Sequence, residues 1–202
     1  MKLLVDILMF ILMLLEFSRN YMEPIYHEIF GIALIILIGM HLFLNRNYIK
    51  NIFKGKYNFN RIIMLIINIG FFLTMILSLL FGILSSQTIL KSISINNLTI
   101  ISLHKILAYC SLIFLGLHLG INFNAMFNKI KLNKVIKIIL SILFIIYGIY
   151  SFIKLDILKH ITGIYGFSIV EGNILINIIR YFSIIMMIAI IMNCINNRKR
   201  SN

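Results

Sequence analysis

Six apolar stretches, each near the length of a bilayer crossing, dictate what this chain can fold into. They run Leu3–Leu15, His27–Leu44, Ile62–Leu84, Ile100–Ile121, Val135–Ile153 and Ile174–Ile191. A hydrocarbon layer of roughly 30 Å takes about twenty apolar residues of helix, with a usable range near 17–25. At 61% hydrophobic and 12% charged residues, the 202-residue chain does not resemble a soluble globular protein. The first stretch is the shortest and carries Asp6 near its start. Lys2 ahead of it makes a cleaved leader the alternative, but Glu16-Phe17-Ser18-Arg19 is a poor cleavage site, so a retained helix is expected.

Charge placement sets the expected topology. The net charge of +13 resembles a nucleic-acid signal only until the basic residues are located. Lys2, Arg46, Lys50, Lys54, Lys56, Arg61, Lys129, Lys131, Lys134, Lys137, Arg198, Lys199 and Arg200 fall on one side, with Asp6 as the one acid. On the other side Arg19, Lys91, Lys105, Lys154 and Lys159 are balanced by Glu16, Glu23, Glu28, Asp156 and Glu171. Positive loops stay in the cytoplasm, so six crossings with both termini cytoplasmic are expected, and nucleic acid is set aside as a partner.

Four of the five histidines form two pairs with one spacing. His27 and His41 are fourteen residues apart, and so are His104 and His118. Fourteen residues of helix advance roughly 21 Å and turn to about 40° short of four full turns, so each pair shares one face. The pairs belong to a repeat: His27, Gly39, His41 and Asn45 recur 77 residues later as His104, Gly116, His118 and Asn122. Phe81-Gly82-Ile83-Leu84-Ser85 likewise resembles Tyr147-Gly148-Ile149-Tyr150-Ser151. The expected fold is an all-α integral membrane domain over residues 1–202. Two two-helix repeats, about 26–86 and 103–153, form a four-helix core flanked by helices 3–15 and 174–191.

The second and fourth helices run in the same direction, so His27 faces His104 near the outer leaflet and His41 faces His118 near the inner one. Each pair can ligate one haem iron, which makes all four histidines candidate metal ligands. Filling both axial positions leaves no vacancy for oxygen and favours electron transfer. No Cys-x-x-Cys-His is present, so the haems are expected to be two non-covalent b-type groups. Single intramembrane histidines also serve as polar glue between helices. Zinc, which needs about four ligands around one ion, fits two separated pairs poorly.

Small residues near the histidines admit a flat macrocycle: Gly31 and Ala108 follow the first ones, while Gly39, Gly116 and Gly120 flank the second. Ordinary small-residue helix packing is the alternative for these. Lys105 and Arg180 are candidate cations for the outer propionates, Arg180 because it lies inside the last apolar stretch. Arg46 and Lys50 read as cytoplasmic-loop residues. Asn45 and Asn122 are either donors near the ligands or helix C-caps. His160 has no spaced partner and reads as a loop residue, with a quinone contact as the alternative. Cys110 and Cys194 are too far apart in the predicted topology for a disulfide.

These residues together resemble a known family. Tyr26-His27-Glu28-Ile29-Phe30-Gly31, followed by His41, Asn45 and Arg46, is similar to the HE-x-x-G…H-x-x-x-N-R signature of flavinylation-associated cytochromes. Leu117-His118-Leu119-Gly120, Gly148-Ile149-Tyr150-Ser151-Phe152 and Phe167 in the last outer loop extend the likeness over most of the chain. The chain departs from the family at Asn122, where relatives often carry a further histidine. The resemblance implies a di-haem subunit of the bacterial cytoplasmic membrane rather than a stand-alone enzyme. Its expected partners are an extracytoplasmic flavoprotein or another redox subunit, with menaquinone as a candidate donor and membrane lipid around it. The alternatives are a quinone-reactive cytochrome b anchor of a hydrogenase or reductase, and a haem-free transporter or assembly scaffold. Transporters usually break their helices near midplane with Gly or Pro, whereas Pro24, the single proline, lies outside the apolar stretches.

Overall fold

The computed structural model describes residues 1–52, 54–95, 97–127, 133–164 and 172–201, apart from the side chains of 123–127 and 198–201. Phe167, Glu171, Lys129 and Lys131 lie outside the described residues, as do the side chains of Arg198, Lys199 and Arg200. Eight helices occur among the described residues: α1 (Lys2–Phe17), α2 (Pro24–Leu44), α3 (Arg46–Asn51), α4 (Phe59–Leu84), α5 (Leu98–Phe127), α6 (Lys134–Lys154), α7 (Ile157–Thr162) and α8 (Ile174–Ser201). Five of them, α2, α4, α5, α6 and α8, are long and apolar enough to cross a membrane. These suggest a multi-pass membrane protein. At 16 residues, α1 spans about 24 Å, short of the hydrocarbon thickness.

Local chemistry fixes the helix ends. Pro24 opens α2, where its missing N–H costs nothing. The Asn58 side chain accepts from Arg61 N at 2.9 Å to start α4, and Asn133 accepts from Val135 N at 3.1 Å to start α6. At the far end of α2, Asn45 is the C-cap and its Nδ2 donates to the His41 carbonyl at 2.9 Å. Asn122 is no cap: α5 continues past it to Phe127, and its amide donates back to the His118 carbonyl at 3.3 Å. Between α6 and α8 the short α7 is bracketed by left-handed residues, Asp156 at φ 48° and Gly163 at φ 74°.

The packing order differs from the expected four-helix core. Helix α4 packs on α5, α5 on α8, and α8 on α6, while α1 bridges α2 to α8. The last long helix, expected to flank, is therefore central: half of its membrane-length window is buried, against 11% for α2 and for α6. Conversely α6, expected to wall the histidine core, lies on the far side of α8. The reason is steric. A Cβ at Gly116 would stand 2.7 Å from Ile188 Cβ; one at Gly120 or Gly148 would stand 2.7 Å from the carbonyl oxygen of Ala189 or Ser183. These three glycines let α5 and α6 approach α8 from opposite sides, as small residues do between apolar helices. For Gly116 and Gly120 the helix-packing alternative thus accounts for the sequence. Ile184, Ile185 and Leu112 are fully buried at the resulting seam.

The α1–α2 hairpin joins this row mainly through α1. Asn177 Nδ2 of α8 donates to the buried Ser18 hydroxyl at 3.3 Å, and Phe17 packs on Tyr181 and Tyr109. Among the described residues α2 itself packs closely only on α1 and α3. Its outer faces, with Ile29, Ile36 and Phe43, are exposed, as are Ile139, Ile146 and Ile153 of α6. Such broad apolar surface suits lipid rather than water. Replacing Gly148 by Leu is expected to destabilise the fold by about 1–3 kcal/mol through overpacking, read as a lower melting temperature in detergent. Gly39→Ala, where a Cβ meets nothing within 4 Å, should melt at or above wild type.

Candidate cofactor site

Because α2 stands off from α4 and α5, a cavity of about 470 Å³ opens between them toward the end of the bundle where α2 begins. That volume is in the range of small-molecule and cofactor sites. His27 of α2 and His104 of α5 both line it, with ring centroids 6.0 Å apart and planes at 74°. Two imidazoles on opposite sides of one ion, each bonded at about 2.0–2.1 Å, place their centroids about 6 Å apart. The spacing therefore fits an axial pair. Gly31, Ala108, Lys105 and His160 also line the cavity, and Gly82 of α4 backs directly onto the His104 ring, 3.1 Å from its would-be Cβ.

Each of the four histidines has an oxygen within 2.8 Å of Nδ1. His104 donates to the Ser78 carbonyl at 2.8 Å, with the Ser78 hydroxyl 3.3 Å from the same nitrogen. His118 donates to Asn68 Oδ1 at 2.8 Å, and the orientation of that amide is fixed by Asn68 Nδ2 donating to Tyr48 OH at 2.8 Å. His41 donates to Asp6 Oδ1 at 2.7 Å. His27 Nδ1 lies 2.8 Å from Glu16 Oε2, at an angle that makes an ion-pair contact rather than a straight hydrogen bond. Among the described residues no hydrogen bond reaches Nε2 of His27, His104 or His118, and Nε2 of His41 has only a 3.4 Å contact from the Asn45 amide. Metal-ligating histidines almost always engage their second nitrogen this way, which fixes tautomer and ring direction.

The residues proposed from sequence separate in space. His27, His104, Gly31 and Lys105 meet at one cavity. His118 packs on Phe71 at 5.5 Å and lies within electrostatic range of His41 and Asp6. Gly39 faces open space, while Gly116 and Gly120 face α8. Arg180 is on α8, outside the cavity lining, and its Nε is buried without a hydrogen bond. Arg19 and Lys105 are the Lys and Arg side chains in the cavity lining among the described residues. Among the described residues no three His, Cys, Asp or Glu side chains converge as a metal cluster, so the donor sets are pairs.

Sequence reasoning missed Asp6, Glu16, Ser78, Asn68 and Arg19. Asp6 reads as a flaw in the first apolar stretch, whereas it is the partner of His41. An acid in such a segment is expensive unless paired, and that was the available signal. Asn68 gave the same signal within the third stretch; Ser78 gave none. His160 is stacked on Tyr109 at 4.3 Å and 5°, and Tyr109 OH lies 3.0 Å from Tyr181 OH. Burial pushes the His160 imidazole below its ordinary value, helped by the Lys105 charge and opposed by Asp156. The neutral ring therefore suits the stack.

Glu28 lines the cavity and ties two of its walls together. Its carboxylate accepts from Ser86 Oγ at 2.7 Å and from the backbone N–H groups of Gln87, Thr88 and Ile89 at 2.6, 2.9 and 2.7 Å. One carboxylate thereby ties the turn after α4 to the start of α2. Hydrogen bonds to charged groups contribute about 1.5–3 kcal/mol each, less where exposed. In Glu28→Gln the amides of Gln87, Thr88 and Ile89 are expected to exchange with deuterium at least tenfold faster, with the α5 and α8 interiors unchanged. No protein-family model matches this chain, and no curated protein or solved structure does either.

Proposed function

We propose that the protein carries electrons across a membrane through two b-type haems, an outer one ligated by His27 and His104 and an inner one by His41 and His118. The observation that carries this reading is the common arrangement of the four imidazoles. Each is anchored at Nδ1 by an oxygen, and none has a strong partner at Nε2 among the described residues. Helix glue accounts for the Nδ1 contacts alone. It leaves unexplained why His27 and His104 also face each other at axial-pair spacing across a cofactor-sized cavity.

When bound, such haems would be held by the four histidines and would supply one-electron carriers. The chain's own residues do the rest. Ser78, Asn68, Asp6 and Glu16 aim the imidazoles, Arg19 and Lys105 present positive charge to the acidic edge of the outer ligand, and Glu28 ties two of the cavity walls together. The first helix completes six crossings with both termini cytoplasmic, in the bacterial cytoplasmic membrane. In this reading an extracytoplasmic flavoprotein receives or delivers the electrons on one side, and a membrane or cytoplasmic donor serves the other.

A second reading, a quinone-reactive cytochrome b subunit, is favoured by the stacked Tyr109–His160 pair in the cavity wall. A shift of the outer haem spectrum on adding a menaquinone analogue selects it; an unchanged spectrum selects the simple conduit.

Reduced-minus-oxidised spectra with a haem-to-protein ratio test the proposal. Two b haems per chain are expected in wild type and one in His41→Ala. A wild-type protein that takes up no haem when expressed with ample supply overturns it.

A further inference from the structure

The two ligand helices are anchored by different chemistry. Both histidines of α2 meet carboxylates, Asp6 and Glu16, and both carboxylates belong to α1. Both histidines of α5 meet neutral oxygens, the Ser78 carbonyl and the Asn68 amide, and both of those belong to α4. His27 and His104, which face each other, therefore combine one anion-backed ring with one backed by a neutral dipole, and His41 and His118 carry the same two kinds of partner. One helix thus supplies both anions.

Resting on the haem reading above, we propose that Asp6 and Glu16 are positioning residues by which α1 sets the electron affinity of both sites through His41 and His27. Where it accepts the Nδ1 hydrogen bond, as at His41, a carboxylate draws the ring proton toward itself and makes Nε2 a stronger donor. It also adds a negative charge near a centre that becomes less positive on reduction. Both effects favour the oxidised state, and screening weakens them more at Asp6, which is 48% exposed, than at Glu16, which is 17% exposed. The neutral partners on α4 fix direction without adding charge. The chain can thus adjust each site from α1 while leaving the ligands and the cavity walls untouched.

Redox titration of the purified holoprotein tests this, with the two haems resolved by comparison with His41→Ala. Asp6→Asn should raise the midpoint of the inner haem and leave the outer one in place; Glu16→Gln should do the reverse. The expected change is about tenfold in the reduced-to-oxidised ratio at fixed ambient potential, about 59 mV for a one-electron couple. Haem content should stay at two per chain. Unmoved midpoints in both variants, with both haems retained, overturn the proposal and leave the haem reading standing. Absence of haem from wild type overturns both. If Asp6→Asn loses its haem, Asn68→Asp decides, since a carboxylate in place of the neutral partner of His118 should lower the inner midpoint. A midpoint that rises or stays fixed there overturns the proposal.

Discussion

Within an apolar slab a polar ring must find its partners inside the protein, and this constraint organises the rest of the structure. Four imidazoles on α2 and α5 each require an oxygen at Nδ1. Meeting that requirement pulls α4 against α5, through Ser78 and Asn68, and α1 against α2, through Asp6 and Glu16. The α1–α2 and α4–α5 pairs consequently face each other across a cavity at the His27–His104 end, while Leu34 and Ile38 of α2 join Met75 and Leu112 in one buried cluster farther along. Nothing in the apolar composition alone would hold such a cavity open, because apolar surfaces close on one another unless polar contacts and helix ends keep them apart.

A different device holds the other half of the bundle. Between α5, α8 and α6 there is little polar chemistry, and contact is made by backbone approach at Gly116, Gly120 and Gly148. Dense packing there gives a rigid wall, with Ile184, Ile185 and Leu112 buried in it. The histidine half is polar, open and set by hydrogen bonds; the α8 half is dry and set by shape. Packing α8 behind α5 holds in place the helix that carries His104 and His118, while α1 and α2 join the bundle mainly through contacts of α1 with α8.

The starts of the long helices were legible to within about three residues, because they fall at residues with clear roles such as Pro24, Asn58 and Asn133, whereas α5 and α8 run on past their apolar stretches to Phe127 and Ser201. The facing of His27 and His104 was legible too, since it follows from spacing and helix direction. Helix order was not. Such apolar helices carry no marked hydrophobic stripe to say which face is inside, and their few polar residues, such as Asn177 and Ser183 of α8, do not rank α8 above α2 as the central helix. The glycines that seat α5 and α6 on α8 had an alternative use beside the histidines, so sequence could not assign them. Arg180 read as a cation for the ligand because of its depth along the chain, but depth does not specify which side of a helix a residue occupies; Arg19, in a short turn, held that place.

The Glu28 clamp has a bearing on how the molecule is assembled. The turn Ser86–Ile89 and the start of α2 are joined through a single carboxylate. Synthesis delivers α1 and α2 first, so this acceptor leaves the ribosome before any of its four donors. The carboxylate is satisfied only once the turn after α4 has emerged, so the contact ties the first hairpin to later helices instead of forming within it.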